Sequence, residues 1–396
     1  MLTAVVGGAL ANKAGYGGEA WIRMSWVVGL RRLGIDAWLV EDIDPATCTD
    51  RCGNPAPARD SYNRAYFDHV AAAFGLTDRA VLRVVDPTTN CAGGAAEIYG
   101  AGAGALAALR ETAGLVVNIG GHLPAEMLFP RARRVYVDID PGWTQYWHAS
   151  GNPGARLCGH HAFYTIAANI GTAECPIPTG GLAWRTIRQP VVLADWPVVA
   201  GPGPGRFTTV ATWRNPFGPV GTRAGSDEPI GAKHHEFRRF VDLARESTAD
   251  YELALRIDPG DAADRELLTT NGWHVVDASQ VARTPADFQA YVQQSGAEFS
   301  AAQGVYTHTS SGWFSDRSLR YLASGRPVLV QDTGLADHLP VGEGLVTFDS
   351  LAGAREGEAR IRGDYDAHSA AARSIAERYF DSDMVLSRLL DEVGVS

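Results

Sequence analysis

The chain has 396 residues, which at roughly 150 residues per domain predicts two domains. With 35 basic and 45 acidic side chains its net charge is −10, which disfavours nonspecific binding to nucleic acid or to an anionic membrane. An ordinary hydrophobic content of 45% excludes wholesale disorder, and 44 glycines without a three-residue period exclude collagen.

No apolar run is long enough to span a bilayer, and the N-terminus lacks the basic start and apolar stretch of a signal peptide. The five cysteines, an odd number in a large chain, suggest reduced thiols and a cytoplasmic home. Cys48 and Cys52 have no second pair or histidine at zinc-ligand spacing.

In chain order, Leu2–Gly8 predicts a buried strand, Glu19–Leu33 an apolar-faced helix stopped by Gly34, and Ile35–Glu41 a second strand. This is the opening of a parallel sheet. After a polar stretch, Tyr62–Phe74 reads as a helix and Ala80–Val85 as a strand. Ala101–Glu111 reads as a helix, Leu115–Ile119 as a strand, and Val135–Ile139 as a strand running into Asp140. The Pro/Gly-rich stretch Asp195–Arg206 is the clearest linker signal. A second series follows: strand Phe207–Thr212, helix His235–Arg245, strand Glu252–Ile257, helix Asp261–Asn271 and strand Trp273–Val276. Thr284 and Pro285 then open a helix as N-cap and first helical residue. Strand Phe299–Thr307, helix Asp316–Ala323, strand Pro327–Gln331 and a mostly helical tail complete the chain. The fold class expected is α/β, with two Rossmann-like domains facing across a cleft. The expected domains are residues 1–200 and 206–375, followed by a terminal helix at residues 376–396.

Ligands of open α/β sheets bind at strand C-termini, so residues just after strands are the candidates. Gly17 and Gly18 precede a helix and can present backbone N–H groups to a phosphate, or simply form a turn. His122, after Asn118-Ile119-Gly120-Gly121, is a candidate base because an imidazole titrates near neutrality; the plain alternative is a loop histidine bonded to backbone. Asp138 and Asp140 share a strand face, where an acceptor contact from Asp140 is favoured over a metal site. Arg214 ends the first strand of the second half and can pair with a diphosphate or with another domain's acid. The doublets His160-His161 and His234-His235 read as structural. Gly225–Lys233 has the wrong spacing for a P-loop. The richest segment, Val305–Gly334, reads as a strand, a Ser/Gly loop, a short amphipathic helix and a Pro-led strand. Its loop offers hydroxyls and N–H groups at a helix N-terminus, with Asp332 and Thr333 placed to meet sugar hydroxyls.

The run Gly312-Trp313, Tyr321-Leu322-Ala323-Ser324-Gly325-Arg326-Pro327-Val328 and Asp332-Thr333-Gly334 resembles the donor-binding segment of GT-B glycosyltransferases of natural-product type. Thr307-His308 is similar to the "T-H" that opens it. The resemblance implies a transferase using a nucleotide-diphosphate sugar, UDP- or dTDP-linked, as co-substrate, with no cofactor and no metal. It implies that residues 206–375 bind the nucleotide sugar and 1–200 the acceptor, that the helix 376–396 crosses back to the first domain, and that His308, Ser310, Ser311, Gly312, Trp313, Ser315, Asp316, Arg317, Asp332 and Thr333 lie at the donor; the strand-end reading adds Arg214, Gly17 and Gly18 as substrate contacts and His122 or Asp140 as base. Two glutamates with seven residues between them in retaining members would fall near Gly312 and Arg320 here. The partners implied are the nucleotide sugar and a small-molecule, secondary-metabolite acceptor of the antibiotic-biosynthesis kind, with no nucleic acid and no membrane; a homodimer is compatible. Two other classes compete: a nucleotide-sugar epimerase of the same shape, which needs a carboxylate pair and no acceptor, and a noncatalytic sugar-binding protein of two lobes.

Overall fold

The structure, a computed structural model, describes residues 1–86, 96–127, 129–201, 203–214, 217–218, 220, 230 and 233–395. Cys91 and most of the segment 225–233 compared with a P-loop lie outside the described residues. The chain divides into two units. The first comprises Met1–Ile139, Pro153–Tyr164 and Ser382–Ser396; the second comprises Asp140–Asn152 and Thr165–Asp381. The Gly/Pro-rich stretch 195–206 lies within the second.

The N-terminal sheet contains β1 (Thr3–Gly7), β2 (Asp36–Ile43), β3 (Ala80–Val84), β4 (Glu97–Gly100), β5 (Leu115–Ile119), β6 (Arg133–Asp138), β7 (Ala162–Thr165) and β8 (Trp184–Thr186). Its order is β4-β3-β2-β1-β5-β6-β7-β8. β1 pairs in parallel with both β2 and β5, Gly7 lying opposite Val40 and Asn118. β1 and β5 bury every residue except Thr3, as strands covered on both faces must. Helix Gly17–Arg32 packs along this sheet, and the last helix, Ser382–Val393, packs on it in turn. Leu386 and Ser382 sit where a side chain at Gly29 would stand, so a Cβ there would meet Leu386 at 2.6 Å.

The second unit holds a parallel sheet of β9 (Phe207–Thr212), β10 (Tyr251–Arg256), β11 (His274–Asp277), β12 (Ala297–Ser300), β13 (Val328–Gln331) and β14 (Leu345–Phe348). Its order is β11-β10-β9-β12-β13-β14, so the direction of winding reverses between β9 and β12. Those two strands pair only through Ala297–Phe207 and Glu298–Thr208, and the crevice at a topological switch point opens beyond that pairing. An aromatic core, including Phe207, Tyr251, Trp273, Phe299 and Phe348, fills the outer face. Thr284 caps helix Pro285–Gln294 through a reciprocal capping box with Asp287.

Two expected elements differ. The strand expected over Phe299–Thr307 stops at Ser300, and Gly304–Thr307 is a helical turn in which His308 N–H donates to Gly304 O at 2.9 Å. The β-branched residues there pack as one side of that turn: Val305 is buried against Trp143 and Tyr306. The expected helix His235–Arg245 is two pieces, Lys233–Arg239 and Leu243–Glu246.

Candidate functional site

The crevice of the second sheet is built around Arg317. Ser315 caps helix Asp316–Ala323 by accepting from Arg317 N at 3.3 Å, and this turns the Arg317 side chain back toward the strands. Its guanidinium donates to Glu298 Oε1 at 2.5 Å, Ser300 Oγ at 2.6 Å and Val210 O at 3.1 Å, filling the gap where β9 and β12 part. Glu298 is wholly buried. Burial pulls the Arg317 pKa down, but the Glu298 carboxylate outweighs it and the net shift is upward.

Lys233 begins the helix Lys233–Arg239 beside this pair. Burial, and then the neighbouring Arg317, push its ammonium down to about 8, while Glu298, Asp316 and Asp140 pull the other way. Asp140 and Asp316 are therefore grouped with Arg317 and Lys233 in one charged cluster. One turn further along the same helix, buried Glu236 accepts from Gln331 Nε2 at 2.7 Å and lies 3.3 Å from His308 Nε2. Thus a single short helix brings Lys233 to the crevice and fixes His308. Gln331 Oε1 in turn accepts from Ala302 N at 3.0 Å, tying the strand end to the loop.

The Ser/Gly loop is pinned rather than open. Gly312 N donates to Thr333 O at 2.6 Å, Thr333 Oγ1 donates to Trp313 O at 2.6 Å, and Ala168 N donates to Gly312 O at 3.2 Å. Ser311 is fully buried, and its N–H donates to Tyr306 O at 3.1 Å. Gly312 has φ +71°, and a Cβ there would lie 3.0 Å from Ala168 Cβ and from the Asn169 backbone N, which only glycine permits. Exposed Ser310, at φ +44°, gives its carbonyl to Asn169 Nδ2 at 2.7 Å. Trp313 is half-buried and stacks on Tyr306 at 4.2 Å between centroids and 14° between planes. Exposed Asp332 folds onto its own turn, accepting from Gly334 N at 3.0 Å. Behind the loop a cavity of about 50 Å³, lined by Ile166, Phe314, Ser315, Leu335 and Phe380, is too small for a nucleotide.

Arg214 is half-exposed and faces Asp261, to which Nη2 donates at 2.6 Å and Nε at 2.8 Å. Its pKa is raised by that carboxylate. His234, in contact with Arg214 at 3.1 Å, is pushed down to about 4 by burial and then by His235 and Arg214.

The first unit holds the remaining candidates. Gly17 and Gly18 are the first two residues of helix Gly17–Arg32. His122 follows two left-handed glycines, Gly120 (φ +63°) and Gly121 (φ +67°). Burial, then the charges of Arg23, Lys13 and Arg156, push its imidazole down to about 3, so it is neutral at pH 7.

Sequence reasoning missed Lys233, Glu236 and Glu298. Glu298 carried a signal, an acid amid the apolar run Ala297–Phe299, which is tolerated inside a sheet only with a paired cation. Lys233 carried only the mis-spaced likeness of Gly225–Lys233 to a P-loop, and Glu236 carried none.

No protein-family model matches the sequence, and no curated protein matches it. Solved structures do resemble it along essentially the whole chain. An α-glucosyltransferase solved with UDP and a 13-mer DNA matches 100% of both chains at TM-score 0.61 and 11% identity. HepE from Anabaena, in complex with UDP-glucose, matches 100% of both chains at TM-score 0.58 and 12% identity. The chain has the GT-B fold of nucleotide-sugar glycosyltransferases. Sucrose-phosphate synthase from Thermosynechococcus elongatus is also similar, at TM-score 0.51 and 10% identity over 100% of this chain and 99% of that one.

Proposed function

We propose that the protein is a glycosyltransferase that moves a sugar from a UDP- or dTDP-linked donor to a hydroxyl of a small-molecule, secondary-metabolite acceptor, in the cytoplasm and without a metal ion. The observation that carries this reading is Lys233, set beside the Arg317–Glu298 ion pair at the switch point of the second sheet, in a chain of GT-B fold. Among the described residues no helix is long and apolar enough to cross a membrane.

In this reading the donor diphosphate lies against the Lys233 ammonium. The acceptor oxygen attacks the anomeric carbon as the bond from that carbon to the diphosphate oxygen breaks, and the electron pair leaves on the diphosphate. Lys233, protonated at pH 7, stabilises that charge directly. Arg317, held by Glu298 and Ser300, is a positioning residue that supplies field from below. Trp313 presents a flat face for stacking. The acceptor proton passes to His122 or Asp140.

The test is a thermal-shift panel of UDP, dTDP, GDP and ADP with and without magnesium, on the parent and on Lys233→Met. Stabilisation by UDP or dTDP without magnesium, lost in the variant, is expected. No stabilisation by any nucleotide refutes the proposal.

A further inference from the structure

The first sheet also reverses its winding, between β1 and β5, and what lies beyond those strand ends is basic. The floor is glycine. At Gly8 a Cβ would lie 2.6 Å from Arg23 Cγ and 3.4 Å from Arg23 Nε, so the arginine stem lies against bare backbone. The left-handed glycines Gly120 and Gly121 bend the chain so that His122 lies back over the end of β5, and a Cβ at Gly120 would sit 3.4 Å from its ring. Arg23 is 1% exposed; its Nη1 reaches back to Glu19 in the first turn of helix Gly17–Arg32, and its buried Nε has no hydrogen-bond partner among the described residues. Arg156 enters from another segment and donates to Gly121 O at 3.4 Å. Lys13 ends the short 3-10 turn Ala11–Lys13 before the helix, its Nζ 5.9 Å from the Tyr16 ring centroid, and the charges of all three act on His122 after burial.

Two acids belong to the same cluster. Glu19 pairs with Arg23. Glu41 accepts from Ala11 N at 2.6 Å and Asn12 N at 2.9 Å, and burial raises it to about 7, so it is close to half neutral at pH 7. Three cations thus gather here, with Asp138 and Asp140 at the adjoining end of β6, in a protein whose net charge is −10. A buried guanidinium nitrogen without a partner is costly unless something else completes it. The N–H groups of Gly17 and Gly18 at the start of a 16-residue helix add donors of the same sign.

We infer that Gly8, Gly120 and Gly121, ringed by Arg23, Arg156 and Lys13, form an oxyanion site that takes a phosphate or carboxylate group carried by the acceptor. The inference rests on the reading of the first unit as the acceptor half. An arriving anion completes Arg23 Nε and offsets the share of the His122 depression that the three cations add to burial. Binding of a charged acceptor and strengthening of the candidate base are then one event.

The experiment uses the full chain, titrated separately with inorganic phosphate and with acetate, followed by calorimetry and by the histidine C–H resonances. Saturable binding of at least one anion is expected, with the His122 resonance moving. Arg156→Ala and the double variant Lys13→Ala/Arg156→Ala should weaken it at least tenfold, both side chains lying near the surface. No saturable binding, equal affinity in the double variant, or complete displacement of the anion by saturating UDP would overturn the inference; the last would assign the site to the donor. Failure of the donor reading shows separately, as absent UDP stabilisation in a chain that still binds phosphate through Arg156.

Discussion

If Lys233 holds the donor diphosphate, its depressed pKa makes nucleotide affinity depend on pH. The pKa of about 8 comes from burial and from Arg317, so it belongs to the free protein. Only the ammonium form binds. The apparent Kd is then multiplied by one plus ten to the power (pH − pKa), which is ~1.1 at pH 7 and ~11 at pH 9. UDP affinity should thus fall about tenfold between pH 7 and pH 9, or ~1.4 kcal/mol. Calorimetric titration of UDP across that range is the assay. Lys233→Arg should bind at pH 7 and lose the inflection near 8, because a guanidinium stays charged. Lys233→Met should bind weakly at every pH. UDP bound equally by Lys233→Met and the parent at pH 7, or the same pH dependence in both, would refute the role of Lys233. The free protein carries the opposite signature. A lysine depressed in the fold takes up more protons when unfolded between pH 8 and pH 10.5, so its penalty is full below 8 and relieved as the pH rises.

Three further outcomes follow from buried groups. Glu298→Ala leaves the Arg317 guanidinium, 11% exposed, without its acid, and should cost roughly 3–5 kcal/mol in denaturant unfolding, whereas Arg317→Met/Glu298→Leu together should recover much of it. Glu41 is raised to about 7 in the fold, so the stability it contributes is complete below 4.5 and is lost as the pH rises to 7; the parent should lose up to about 3 kcal/mol across that window and Glu41→Gln should not. Gly312→Ala combines a left-handed φ with a 3.0 Å approach to Ala168 and should lower stability by about 1–3 kcal/mol, read from the denaturation midpoint.

How much of this was legible depended on the range of the interactions involved. β1, β5, β9 and β10 announce themselves as short apolar runs bounded by glycine, proline or acid, and Thr284-Pro285 announces a helix start; all of these signals are local. β7 and β8 were not legible: β8 is three residues long with two of them exposed, and only pairing across the sheet makes it a strand. Val305-Tyr306-Thr307 has strand propensity, yet tertiary packing of Val305 and Tyr306 against Trp143 holds a helical turn. At the site, position after a strand directed attention to Asp140 and Arg214, and a helix start to Arg317, but which way a side chain turns is decided by partners far off in sequence. Arg317 turns inward because Glu298 and Val210 wait there, and Arg214 turns to Asp261.

The same logic bears on the two positions where related donor segments carry glutamates. Gly312 cannot hold one: its φ is +71°, and a Cβ would meet Ala168 and the Asn169 backbone. Arg320 has no exposed surface, donates to Pro190 O at 3.3 Å and lies over the Trp196 ring; burial brings it down to about 10. Replacing it by an acid would put a carboxylate where a cation is packed. These positions are therefore built for other residues. Buried Glu236 joins His308 at 3.3 Å and rides on the helix that begins with Lys233. If Lys233 holds the diphosphate, that carboxylate positions the turn that carries the lysine and the ring of His308, whose Nδ1 is itself buried. On this account Glu236→Gln should raise KM for the donor more than it lowers kcat, because it loosens a positioning group and leaves the Lys233 charge intact.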